Sequence, residues 1–190
     1  VGSEMCIRDS IMTIMIGGGD IYSDDHVTLS GDGARFDADT AYLGKNSQTI
    51  DYNIVADHFG KKTESLITVN GALTDSAKKV FRGTIDFKKG SADSVGSENE
   101  TVLMLGDDVV NKTVPLILCA EENVEGTHGA TIGELDADTM FYFESRGIDR
   151  ETAEKIMAYA AVERLIHMAE DSEFAAEVEE DMGIKTDTEE

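Results

Sequence analysis

Lys79-Val80-Phe81-Arg82-Gly83-Thr84-Ile85-Asp86-Phe87-Lys88 is the stretch on which the reading of this chain turns. Phe81, Gly83, Ile85 and Phe87 alternate with Arg82, Thr84, Asp86 and Lys88, the two-residue period of a half-buried strand. Short runs of similar character flank it, at residues 26–29, 48–56, 65–69, 101–105, 114–119 and 130–132. Glycine, asparagine and aspartate separate them. Gly31-Asp32-Gly33 and Asn70-Gly71 supply residues that tolerate a positive φ at sharp turns. Strands that recur roughly every 10 to 18 residues, almost without proline, suit a sandwich, a barrel or a solenoid, and the pattern alone does not choose among them.

Beyond Gly133 the period becomes helical. Residues 136–146 carry Met140, Phe141 and Phe143 beside acidic side chains, and Gly147 stands where a helix closes in the left-handed conformation. Asp149 can cap a second helix, with Glu151 near its positive end, and Ile156, Tyr159, Val162 and Ile166 share one face. The last 21 residues hold ten carboxylates and one lysine. The chain thus divides into a leader at 1–10, a β core at 11–133, a helical segment at 134–170 and an acidic tail at 171–190, expected to be disordered. The leader, Val-Gly-Ser-Glu-Met-Cys-Ile-Arg-Asp-Ser, fits nothing that follows and reads as translated adapter or cloning sequence fused to part of a longer protein.

Composition narrows the function. One hundred and ninety residues are enough for a real core, and no apolar run approaches membrane-spanning length. A formal charge of −23 argues against nucleic acid and anionic membranes as partners. Two cysteines, Cys6 in the leader and Cys119, exclude a disulfide framework and fit a reducing, cytoplasmic setting. Gly17-Gly18-Gly19 lacks the lysine and hydroxyl of a phosphate-binding loop. Lys78, Lys79, Arg82, Lys88 and Lys89 read as a solvated basic face, the alternative being a contact with an acidic partner. His26 and His58 lie in strand-like regions without nearby thiols, and His167 falls at a helix end where an imidazolium is favoured.

Four pieces stand in order: Lys79 through Ile85; the apolar run Val114-Pro115-Leu116-Ile117-Leu118-Cys119; His128-Gly129-Ala130-Thr131-Ile132-Gly133; and Leu-Asp-Ala-Asp-Thr-Met-Phe-Tyr-Phe-Glu-Ser-Arg-Gly-Ile from Leu135 to Ile148. Together they resemble the C-terminal core of the SufB/SufD family of iron–sulfur cluster assembly proteins, over residues 17–169. Gly129 after His128 resembles the SufD branch, where SufB-like members usually have glutamate. Two positions depart from that branch. SufD relatives often carry a cysteine where Gly126 stands, and Cys119 falls where SufB relatives place a cysteine implicated in cluster assembly.

The resemblance implies a mainly β fold, a right-handed parallel β-helix followed by a short α-helical segment. It also implies a non-catalytic scaffold that pairs with a SufB-type subunit or with a second copy. Its terminal helices would dock the SufC ABC-type ATPase, and a transient iron–sulfur cluster would form at the subunit interface. His58 matches a histidine often found in the family and is read as structural.

Cys119 and His128 are the candidate metal and cluster ligands, a thiolate and a neutral imidazole being suited to iron–sulfur chemistry. One of each cannot complete a cluster's ligand set, so the expected site lies between two chains. Two other readings compete. Cys119 is a buried, inert hydrophobe in a purely structural pairing subunit. Alternatively, Asp37, Asp39, Asp51 and Asp57 form the acid–base site of a carbohydrate-acting β-helix enzyme.

Overall fold

A computed structural model describes residues 8–182, with the side chains of 181 and 182 left aside. Nine strands precede three helices: β1 Arg8–Met15, β2 Ile21–Leu29, β3 Arg35–Gly44, β4 Thr49–His58, β5 Glu64–Thr74, β6 Lys78–Phe87, β7 Ser94–Leu105, β8 Val110–Cys119, β9 Val124–Glu134, α1 Ala137–Glu144, α2 Arg150–Met168 and α3 Ser172–Met182. Odd strands form one sheet in the order β1-β3-β5-β7-β9, and even strands form the other, β2-β4-β6-β8. All seven ladders are parallel. Register partners lie between 27 residues apart (Arg8 and Arg35) and 32 residues apart (Lys78 and Val110). Each odd–even pair is therefore one turn of a parallel β-helix. A sandwich or an up-and-down barrel would need antiparallel neighbours.

The alternation of Phe81, Gly83, Ile85 and Phe87 aims inward, and all four are buried. The lumen between the sheets is filled by such rows, including Phe36, Ile50, Ile54, Ile67, Val69 and Val102. The corners repeat as well. Gly33, Lys62 and Asp93 take positive φ at successive turns, as do Asn46 and Asp75. Carboxylates at the corners accept from the backbone of a neighbouring turn: Asp20 from Thr49 N at 2.7 Å, Asp32 from Lys61 N at 2.8 Å and Asp75 from Asn46 N at 2.8 Å. Part of the large acidic excess is thus spent on closing turns.

A second apolar layer joins the helices to the outer face of the odd-strand sheet. Ala41, Leu43 and Ala72 meet Ala158, Tyr159, Val162, Leu165 and Ile166 of α2. Asp149 caps α2 by accepting from Thr152 N at 2.8 Å, and Gly147 has φ +81°, both as the sequence indicates.

Several expectations need correction. Asn70-Gly71 is not a turn but the interior of β5. Glycine is required there because a Cβ would stand 2.5 Å from Tyr42 Cδ2, whose ring crosses that position. Strand β3 has no counterpart among the expected runs, since Asp37 and Asp39 disguise the inward row of Phe36, Ala38 and Thr40. β1 begins at Arg8, inside the stretch set apart as a leader, because residues 8–15 continue the ladder on β3. The rest of that leader lies outside the described residues.

The expected disordered tail contains α3. Asp171 accepts from Phe174 N at 3.0 Å, and Phe174, Ala175 and Val178 pack on the α2 layer, with Glu173, Glu177 and Glu180 exposed and Glu179 accepting from the Tyr159 hydroxyl at 2.8 Å. The remainder of the tail, 183–190, lies outside the described residues.

Candidate functional site

The described end of the solenoid after β7 is built by β8 and β9, each the outermost strand of its sheet. Parallel partners share a face, so register assigns their rows. Cys119 pairs with buried Phe87, and His128 pairs with buried Glu98. Both candidate ligands therefore belong to lumen-facing rows. Both are nonetheless exposed, since no further described turn lies over them.

The two residues are not neighbours within the chain. Across the lumen, Gly96 abuts Ile85, Glu98 abuts Gly83 and Gly126 abuts Ile117, so a step forward on one sheet faces a step back on the other. By that pairing Cys119 faces Val124 and His128 faces Pro115. The offset is four residues, about 13 Å along a strand at 3.3 Å per residue. Among the described residues, no three His, Cys, Asp or Glu side chains converge to hold a metal ion.

One turn further in lies a group that the sequence reading misplaced. Lys79, assigned to a solvated basic face, is buried and ion-paired with buried Glu100. The correction follows from the strand period itself: Lys79 lies two residues before Phe81 and shares its inward phase. Glu100 Oε2 accepts from Thr113 Oγ1 at 2.5 Å, and Lys79 Nζ lies 5.4 Å from the Tyr42 ring centre and 5.5 Å from that of Phe81. Burial pushes the Glu98 carboxyl up to about 7 against the pull of Lys79. Burial likewise lowers the Lys79 ammonium to about 7 against the pull of Glu98; its direct contact with Glu100 also favours the charged form. The rest of the basic cluster is dispersed. Arg82 pairs with Asp51, Lys88 pairs with Asp86 and Asp57, and Lys78 and Lys89 are exposed.

The other histidines sort plainly. His58 is fully buried, with Nδ1 2.7 Å from Thr63 Oγ1 and Nε2 2.9 Å from Ser65 Oγ, so both ring nitrogens are engaged. Burial pushes it down to about 4, a structural imidazole as its reading implied. His26 lies 2.7 Å from Asp57 on the outer surface, and His167 is exposed on α2. The four aspartates of the carbohydrate reading do not converge. Asp37 and Asp39 stand on one sheet beside Arg8 and Arg164, while Asp51 and Asp57 stand on the other beside Arg82 and Lys88.

Two surfaces remain available around this end. The outer row of β8 exposes Val114, Leu116 and Leu118, and Ile132 on β9 is exposed too. On α1, Phe141 and Tyr142 are exposed, with the Arg146 guanidinium 3.6 Å over the Tyr142 ring. No helix among the described residues is long and apolar enough to cross a membrane.

Comparison with known proteins agrees with this architecture. A family model described as "SUF system FeS cluster assembly, SufBD core domain" matches residues 8–161. An iron-sulfur cluster assembly protein SufD of Bacillus subtilis is 33% identical over 141 residues, which is 74% of this chain and 32% of that protein. A chloroplast SufBD family protein of Arabidopsis thaliana is 28% identical over 159 residues, 84% of this chain and 28% of the relative. SufD of Escherichia coli is 22% identical over 159 residues, 84% of this chain and 38% of the relative. The chain spans about a third of the length of these relatives. With the family match covering most of a parallel β-helix and its first helices, the chain belongs to the SufB/SufD family of iron–sulfur cluster assembly proteins.

Proposed function

We propose that this chain is a scaffold subunit of a cytoplasmic SUF cluster assembly complex, binding a nascent iron–sulfur cluster as cargo at an interface formed by its terminal turn. It pairs there with a SufB-type subunit or a second copy. Cys119 and His128 each supply a ligand, and the partner supplies the rest. The observation that carries this reading is the exposure of both donors on lumen-facing rows of outermost strands. A thiolate and a neutral imidazole in that position meet whatever covers the turn. Their offset of about 13 Å argues that neither completes a site with the other alone.

The helical segment serves a different contact. α2 spends its apolar face on the solenoid, which leaves the aromatic pair of α1 and the acidic outer surface of the helices for a SufC-type ATPase.

Anaerobic reconstitution of the paired complex with iron and sulfide, read by visible absorbance, tests the ligand roles. Cys119→Ser and His128→Ala each lower the cluster absorbance at unchanged pairing. If both variants load as fully as the parent, the chain is a purely structural pairing subunit. The lack of three converging donors among the described residues favours that second reading if the ligand test fails.

A further inference from the structure

The lumen beneath the terminal turn holds charges that apolar packing does not require. The Lys79 and Glu100 side chains are each 1% exposed and in direct contact. Glu100 Oε2 accepts from Thr113 Oγ1 at 2.5 Å, and Lys79 Nζ donates to the same hydroxyl at 3.4 Å. Lys79 belongs to β6, Glu100 to β7 and Thr113 to β8. The network therefore bridges both sheets through the interior, and its last member lies on the outermost strand that ends at Cys119.

Stability alone does not account for an ion pair in this place. Taking two charges out of water is costly, and well-packed apolar residues of similar volume often serve as well or better. Charge-assisted hydrogen bonds supply direction, which apolar contacts lack. Strand β8 is where direction is scarce. It pairs with β6 alone, and its tight apolar contact across the lumen, Ile117 against Gly126, lies near its Cys119 end. Thr113 grips the strand six residues earlier.

We propose that Lys79, Glu100 and Thr113 are positioning residues that lock β8 to β7 across the lumen and so hold Cys119 and His128 in one relative placement. The value of that lock for cluster assembly rests on the ligand roles proposed above, whereas the lock itself does not.

Nitroxide labels at Cys119 and at His128→Cys, in a Cys6→Ser background, read the placement as a distance distribution by double electron–electron resonance. The chain with the network intact gives one narrow distance. Thr113→Val keeps the side-chain shape but removes the hydroxyl, and gives a distribution about twofold broader at a similar melting temperature. Thr113→Ser restores the narrow one. Lys79→Met with Glu100→Leu broadens it too, even where the melting temperature rises.

Equal widths in all variants overturn the lock. If the double variant fails to fold, the valine and serine pair, which keeps the ion pair in place, decides alone. Failure of the ligand roles appears separately, as unchanged cluster loading in Cys119→Ser without nitroxides.

Discussion

Gly83 and Glu98 meet across the lumen with no room for a methyl group between them: a Cβ on Gly83 would overlap the Glu98 carboxyl group. Glu98 is itself buried, so its carboxylate can yield only within a filled lumen. Gly83→Ala should therefore destabilise the chain by about 1–3 kcal/mol, the usual cost of overpacking. Adding Glu98→Ser should return most of that loss, since the shorter side chain vacates the contested space. Thermal unfolding of the two single variants and the double variant checks this. Strict additivity would show that the two residues do not contend.

His58 and Glu98 give opposite pH dependences that hide one another. His58 falls from 6.5 to about 4 on burial, so between those values unfolding takes up a proton, and stability is lost as pH falls. Glu98 rises from 4.5 to about 7, so in that window the folded chain holds a proton that unfolding releases, and stability is lost as pH rises. Between 4.5 and 6.5 the two slopes oppose, each at most roughly 1.4 kcal/mol per pH unit. Glu98→Gln should uncover a stability that climbs with pH across this window, and His58→Gln one that climbs less than the parent's or falls. Urea midpoints measured from pH 4.5 to 6.5 distinguish the cases. A Glu98→Gln curve parallel to the parent's would refute the buried-carboxyl account.

The attachment of the helices should depend on packing rather than on charge. Leu165 is buried in the layer between α2 and the odd-strand sheet, whereas the Arg164–Asp39 ion pair at its edge is partly solvated. Leu165→Ala should cost about 2–5 kcal/mol and speed proteolytic cleavage within α2. Asp39→Asn should cost under about 1 kcal/mol and leave the cleavage rate unchanged. Equal effects would mean that the ion pair, not the apolar layer, fixes the helices.

These cases also show how far the sequence could be read. The run from Phe81 to Phe87 gave its strand and inward face directly, because alternation is a local property. The same rule extended two residues back would have placed Lys79 inside, but a lysine on an acidic chain suggests solvent. Only the packing of β6 against β7 across the lumen reveals Glu100 as its partner. Gly71 misled for the opposite reason, since Asn-Gly is a turn signal unless a distant ring, here Tyr42, demands the missing Cβ. Caps such as Asp149 were legible because donor and acceptor lie three residues apart. Cys119 and His128 were legible as chemistry. Their placement on facing sheets, four residues out of step, is a product of turn stacking that no local window contains.

The pairing proposed for the terminal turn would run through its exposed outer rows. Strands β8 and β9 are outermost in their sheets, and β8 carries an exposed apolar row of Val114, Leu116 and Leu118. An outermost strand with apolar side chains is a ready template for another chain, and a lysine on it is the common means of blocking such pairing. Leu116 pairs with Thr84 on the outer face, so lysine there reaches solvent and leaves the lumen intact. Leu116→Lys should keep the parent's melting temperature within about 2 °C while weakening self-association or SufB-type pairing at least tenfold, about 1.4 kcal/mol. Tyr22→Lys, on the outer face of β2 at the opposite edge of the same sheet, should leave pairing unchanged. Sedimentation equilibrium across a concentration series measures both. If Leu116→Lys pairs as tightly as the parent and Tyr22→Lys does not, the partner meets the other end of the solenoid, and the terminal turn loses its claim to the cluster.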